Sequence, residues 1–193
     1  KSSVGGVTEM ETAVDVLSSI VNAYGDDVID ATRASDLMFT AMKKGKTTFG
    51  EMASNMYSVL PIAKALEVPF ENVTAAISTM TAMGTPTAQA TTQIGRMFLE
   101  FSKDGTRASE IFLEATGRTF KQFIAEGNNV QDALTVMESV ANSADMEIND
   151  LFSSAEAGNA ALALTGKGAI KFAEDLKAME ESAGATEAAY EKM

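Results

Sequence analysis

Four stretches of this sequence carry residue types at spacings that chemistry uses. Gly45-Lys46-Thr47 ends like a phosphate-binding loop, where backbone N–H groups close on phosphate oxygens. That loop also needs an earlier glycine and a buried strand, but position 40 is Thr and the residues before it keep a helical period. A helix end followed by a cap residue is the expected reading. Asp145, Glu147, Asn149, Leu151, Ser153 and Glu156 fall at the ligand offsets of a calcium loop. Asp150 holds the place where that loop turns on glycine, and Leu151 and Phe152 read as core. Residues 62–73, IAKALEVPFENV, have the outline of a DNA-reading helix-turn-helix. Glu67 replaces its turn glycine, and no Lys or Arg lies between Lys64 and Arg96 to hold phosphate. The 12 methionines could build an adaptable groove, but most fall on apolar helix faces, which makes core filling the first reading.

The chain has no histidine and no cysteine. That removes the usual general base, the thiol nucleophile and most transition-metal ligands together. No Ser-x-x-Lys dyad or Gly-x-Ser-x-Gly elbow is present. The acidic clusters Asp26-Asp27, Glu174-Asp175 and Glu180-Glu181 read as helix caps and solvated faces. No carboxylate has a sequence context that suggests burial. Catalytic, cofactor-binding and metal-ligating residues are therefore all read as none, and no cofactor is expected.

Fifteen basic residues against 27 acidic ones leave a formal charge of −12 across 193 residues. Such a chain is repelled by phosphate backbones and anionic lipid, so direct nucleic-acid binding is not expected. No apolar run approaches the roughly 18 residues of a membrane span. The first residue is Lys1, with no signal-like apolar stretch after it, so the chain is expected to be a piece of something longer.

The elements that would carry these residues are helices. Only three prolines, abundant alanine and no useful strand-like alternation predict an all-α fold. We expect a bundle of roughly eight to ten short amphipathic helices joined by glycine-stopped turns. The organising stretch is 46–101. Thr48 and Glu51 form a capping box ahead of Phe49, Met52, Ala53, Met56, Tyr57, Leu60 and Ala63, with Pro61 predicting a kink or break near Leu60. Pro69 opens a second run, carried by Val73, Ala76, Ile77 and Met80 and stopped by Gly84. Thr85 as cap and Pro86 in the first turn start a third, with Ile94, Met97, Phe98 and Phe101 on one face. Lys64 is placed on the polar side.

Around this stretch, Thr8 with Glu11 predicts a capping box, and Asp26 and Asp27 are expected to cap the helix that ends at Lys43-Lys44-Gly45. Periodicity lapses over 102–109, SKDGTRAS, which is the best candidate for a boundary or exposed loop within a single domain over 1–193. Short helices over 110–116 and 119–126 follow, closed by Gly117 and Gly127, with Thr119 and Gln122 as a capping box. Asn129 caps the next. One alanine-rich helix is expected over 148–164, with Leu151, Phe152, Ala155 and Leu162 apolar. Ile170, Phe172, Leu176 and Met179 mark the penultimate helix, before a last one over 185–193.

The segments TAVDVLSSIVNAYG (12–25), ASDLMF (34–39), 45–84 and ATTQIGRMF (90–98) resemble the core region of phage tail tape measure proteins. FKQFIAEGNNVQDALTVM, LFSSAEAGNAALALTG and SAGATEAAYEKM continue the resemblance over nearly the whole chain. The departure is Glu67-Val68-Pro69-Phe70, where relatives commonly place Gly and Ser around the turn. The resemblance implies a non-enzymatic structural protein of a phage or prophage. It implies a module that takes part in tail length determination, virion assembly and DNA ejection. Its place would be the tail lumen, and the host cytoplasm during assembly. Its implied partners are tail-tube and other tail proteins, tail assembly chaperones and copies of itself. The alternative is a helical protein-binding adaptor or chaperone-like module with a Met-rich interface.

Overall fold

The computed structural model describes residues 10–191, and among these every regular element is helical. The α-helices are α1 (Met10–Tyr24), α2 (Ala31–Lys44), α3 (Phe49–Asn55), α4 (Leu60–Ala65), α5 (Phe70–Ala82) and α6 (Thr87–Ser102). They continue with α7 (Arg107–Thr116), α8 (Phe120–Ala125), α9 (Val130–Ser143), α10 (Ala155–Leu164), α11 (Lys167–Glu180) and α12 (Ala185–Tyr190). Two 3₁₀ turns, Met56–Ser58 and Ile148–Leu151, complete the order. The expected all-α bundle is present, and it has more and shorter helices than the sequence count.

Helix α5 is the axis of the fold. Every residue from Asn72 to Thr81 is buried, so neighbours cover it on all sides. Its small residues Thr74, Ala75, Ala76, Ser78 and Thr79 keep the helix thin enough for α2, α6, α10 and α11 to approach it. The hydroxyls this places in the interior are mostly returned to the helix itself. Thr74 donates to the Phe70 carbonyl at 3.0 Å and Thr81 to the Ile77 carbonyl at 2.8 Å. Helix α10 lies along α6, and α12 lies on α2. Leu60, Met56, Ile77 and Phe98 share one buried apolar cluster, as expected of the organising stretch.

The local signals act as their chemistry predicts at most ends. Capping boxes close at Thr48–Glu51, Thr119–Gln122 and Asn129–Asp132. Gly25, Gly84, Gly105, Gly117, Gly127 and Gly166 all take positive φ, the region only glycine enters freely. Gly45 is different. Its φ is −96°, and its smallness serves packing instead, since a Cβ there would come within 2.4 Å of Thr81 Oγ1.

Other expectations are corrected. Thr8 lies outside the described residues. Asp30, not Asp26 or Asp27, caps α2, accepting from the Arg33 N–H at 2.7 Å. Thr85 is no cap; Pro86 occupies that position and α6 begins at Thr87. Pro61 removes the N–H that would bond the Tyr57 carbonyl, so the helix breaks into α3, a 3₁₀ turn and α4. The change of phase swings Tyr57 out to 76% exposure. Residues 148–164 divide likewise, because Ser154 caps α10, and in the new phase Ala155 and Leu162 face outward. Ile170 is also exposed. Lys64 is not a free surface cation: its Nζ donates to the Tyr24 carbonyl at 2.9 Å and closes the end of α1. Within SKDGTRAS only residues 103–106 form a turn between α6 and α7, since Ser102 ends α6 and Arg107, buried Ala108 and Ser109 begin α7; Phe101 before the turn and Phe112 after it are in edge contact at 5.5 Å.

Two stability outcomes follow. Leu60→Ala should cost about 2–5 kcal/mol by emptying a core position that α4 shares with α6. Glu67 sits at φ 58° in the α4–α5 turn, and its ion pair with Lys121 is half exposed and weak. Glu67→Gly should therefore raise stability by about 1 kcal/mol. Urea denaturation midpoints read both; an unchanged midpoint for Leu60→Ala, or a lower one for Glu67→Gly, contradicts the corresponding account.

Candidate functional site

The residues singled out from sequence serve the architecture. Gly45 ends α2 against α5, the Lys46 N–H donates to Thr81 Oγ1 at 3.2 Å, and the Thr87 hydroxyl donates to Thr47 Oγ1 at 2.7 Å. The groups a phosphate would need are thus engaged in joining three helices. The would-be recognition helix of 62–73 is the start of α5, whose burial leaves no face to enter a DNA groove. In the calcium-like stretch, Ile148, Leu151 and Phe152 are core residues, and Asp145 turns the chain at φ 53°. Among the described residues no group of three or more His, Cys, Asp or Glu side chains is arranged to hold a metal ion.

Most of the described methionines are core. Met38, Met52, Met56, Met80, Met97, Met137 and Met179 are buried, Met42 and Met146 pack against the same cluster, and Met83 is half exposed. This arrangement does not build a Met-rich groove among the described residues.

The sequence did not reveal a set of buried polar side chains that close the ends of other helices. Glu100 on α6 is buried and accepts from the Ser153 N–H at 2.6 Å, the Ser154 N–H at 2.8 Å and the Ser154 hydroxyl at 2.6 Å. It therefore caps α10 from across the interface, where the N-terminal dipole favours an anion. Asn72 on α5 does the same for α9, accepting from the Val130 N–H at 2.8 Å. Asp36 on α2 accepts from the Gly184 N–H at 2.6 Å and the Thr186 N–H at 2.8 Å at the start of α12. Asp175 on α11, read above as solvated, is fully buried; it accepts from the Thr79 hydroxyl at 2.8 Å and from Lys171. One sequence signal existed for it. Asp175 shares the i, i+3, i+4, i+7 stripe with Phe172, Leu176 and Met179.

Two of the surface clefts have mainly apolar linings that a partner could enter. One of about 560 Å³ lies between α4, α7, α8 and the end of α6, with Leu66, Leu113, Phe101 and Phe120 in its lining. The Phe101 and Phe120 rings stack at 4.6 Å, so this cleft looks onto the side of the aromatic core. The other, about 380 Å³, is bounded by Tyr24, Val28, Pro69, Phe70, Lys64 and Glu71. The Tyr24 hydroxyl donates to the Val68 carbonyl at 3.0 Å, and burial, then the Glu71 charge, raises its pKa above the ordinary phenol value. It stays protonated and acts as a strut between α1 and the α4–α5 turn.

A profile described as phage-related minor tail protein matches residues 1–150. The probable tape measure protein of Clostridium phage phiCD119 is 38% identical over 199 aligned residues, which cover 100% of this chain and 21% of that protein. The chain thus spans about a fifth of the length of that relative. No solved structure matches it.

The capping role of Glu100 predicts a mutational order. Glu100→Ala leaves the part-buried N–H groups of Ser153 and Ser154 without their acceptor and should cost about 1–3 kcal/mol. Glu100→Gln offers one acceptor and turns an amide donor toward the other N–H, so it should recover only part of that loss. Chemical denaturation at neutral pH measures both; an Ala variant as stable as the parent would remove the capping argument.

Proposed function

The chain belongs to the phage-related minor tail protein family, and from that membership we propose that it is a folded structural module of a tape measure protein. The module serves tail assembly through docking or self-association, while length is measured by other, continuous helix in the parent protein. The observation that carries this reading is the packing around α5. Drawn out as one helix, 193 residues would span about 290 Å. Packed around a helix buried on every side, they contribute a radius of gyration of roughly 16 Å. A bundle of this kind adds little to a measured length.

The chemistry of the surface supports a structural role without an enzyme activity. The titratable side chains with the strongest geometry, Glu100, Asp36 and Asp175, are engaged by backbone N–H groups, a hydroxyl and a lysine. A formal charge of −12 suits a protein that shares a channel with DNA without adhering to it. No described helix is long and apolar enough to cross a membrane. We assign the module to the tail lumen of the virion, reached from the host cytoplasm, with tail-tube proteins, assembly chaperones and copies of itself as partners. The adaptor alternative loses its main support with the burial of the methionines.

The test is an in-frame deletion of this segment from the parent phage gene, with tail lengths read by electron microscopy. Absent tails, or tails of nearly normal length, are expected. Tails shortened by close to the full extended span would make the segment part of the ruler and overturn the reading.

A further inference from the structure

Helix α12 is held unlike the other described helices. The buried residues between positions 180 and 191 are Ser182 and Thr186, at 4% and 6% exposure, and both are polar. No apolar side chain of this segment enters the core. Its seat on α2 is polar as well. Asp36 grips the Gly184 and Thr186 N–H groups, and the Ser35 and Thr186 hydroxyls pair at 3.0 Å. The Arg33 guanidinium donates to Ser182 Oγ and to the Met179 carbonyl, each at 2.8 Å. Exposed Glu187 and Tyr190 have partners of their own. Water can replace each of these hydrogen bonds, and the segment withdraws no buried apolar side chain of its own when it undocks.

The freed segment has a second conformation open to it. Residues 181–191, ESAGATEAAYE, are rich in alanine and glutamate and contain no proline. What separates α12 from α11 is a short turn, 181–184, in which Gly184 takes φ 79°. Lys177 and Glu181 already face each other at i, i+4 spacing across the junction.

We propose that residues 181–191 are a releasable strap: docked, they fold back onto α2 through Asp36; released, they extend α11 as one uninterrupted helix from 167 to 191. The strap converts the edge of a packed bundle into a straight helix without disturbing α5. This inference rests on the fold alone and does not depend on the tail reading.

The chain lacks cysteine, so a spin-label pair at Lys167→Cys and Ala188→Cys reports on the strap alone. In the continuous helix these positions are about 31 Å apart, the longest separation a helical path allows; docking brings them closer. Two variants shift the balance by different routes. Asp36→Ala removes the grip. Gly184→Ala meets no atom within 4 Å yet places a side chain at positive φ, so it opposes the docked turn and favours the helix. Both should move the distance distribution to the long value, with α5 amide exchange unchanged. Should Asp36→Ala unfold the whole chain, Gly184→Ala still decides. A Gly184→Ala variant with an unchanged distance overturns the proposal. So does faster exchange without the long distance, because the strap then frays rather than extends.

Discussion

A helix buried on every side imposes conditions on everything around it, and α5 is such a helix. It cannot turn a polar face to water, so its interior threonine hydroxyls bond back to its own carbonyls or, for Thr79, to Asp175 on α11. It must also be thin, and its threonines, serines and alanines let four helices reach it at once. The glycine at position 45 answers the same demand from the other side, bringing the end of α2 to the backbone at Ser78. Ser78 Oγ is the one buried side-chain polar atom without a partner among the described residues, and it lies on this crowded axis.

The second condition concerns helix ends. Short helices packed around a central one start and stop inside the protein, where their free N–H groups cannot all reach water. Where the local residue suffices, as at Thr48 or Thr119, a capping box closes the end. Where it does not, a neighbouring helix supplies the acceptor: Glu100 for α10, Asn72 for α9 and Asp36 for α12. Each such bond joins residues tens of positions apart, so it specifies which helix docks where as well as satisfying a donor. A purely apolar interface would allow neighbouring registers that these contacts do not.

The same two conditions bear on what the module can do. The core around α5 combines apolar burial with satisfied polar contacts, whereas α12 buries only polar residues. A molecule built this way has a body that resists rearrangement and an edge that does not.

The all-α class, the capping boxes, the glycine stops and the shared burial of Met56, Leu60, Ile77 and Phe98 were legible in the sequence, because helical period and cap chemistry are short-range properties. The break at Pro61 was legible too, since the missing N–H acts on the residue four before it. The family resemblance drew on the same pattern of helices and small residues. The burial of Glu100 and Asp36 was decided only by the tertiary structure, and for Asp175 the sequence offered no more than its place on an apolar stripe. A carboxylate reads as solvated until some other segment brings an N–H or a hydroxyl to it, and those partners lie far along the chain. The outward turns of Tyr57, Leu162 and Ile170 were decided there as well. Periodicity measures a stripe within one helix; which side of that stripe is covered depends on where the neighbouring helices come to rest.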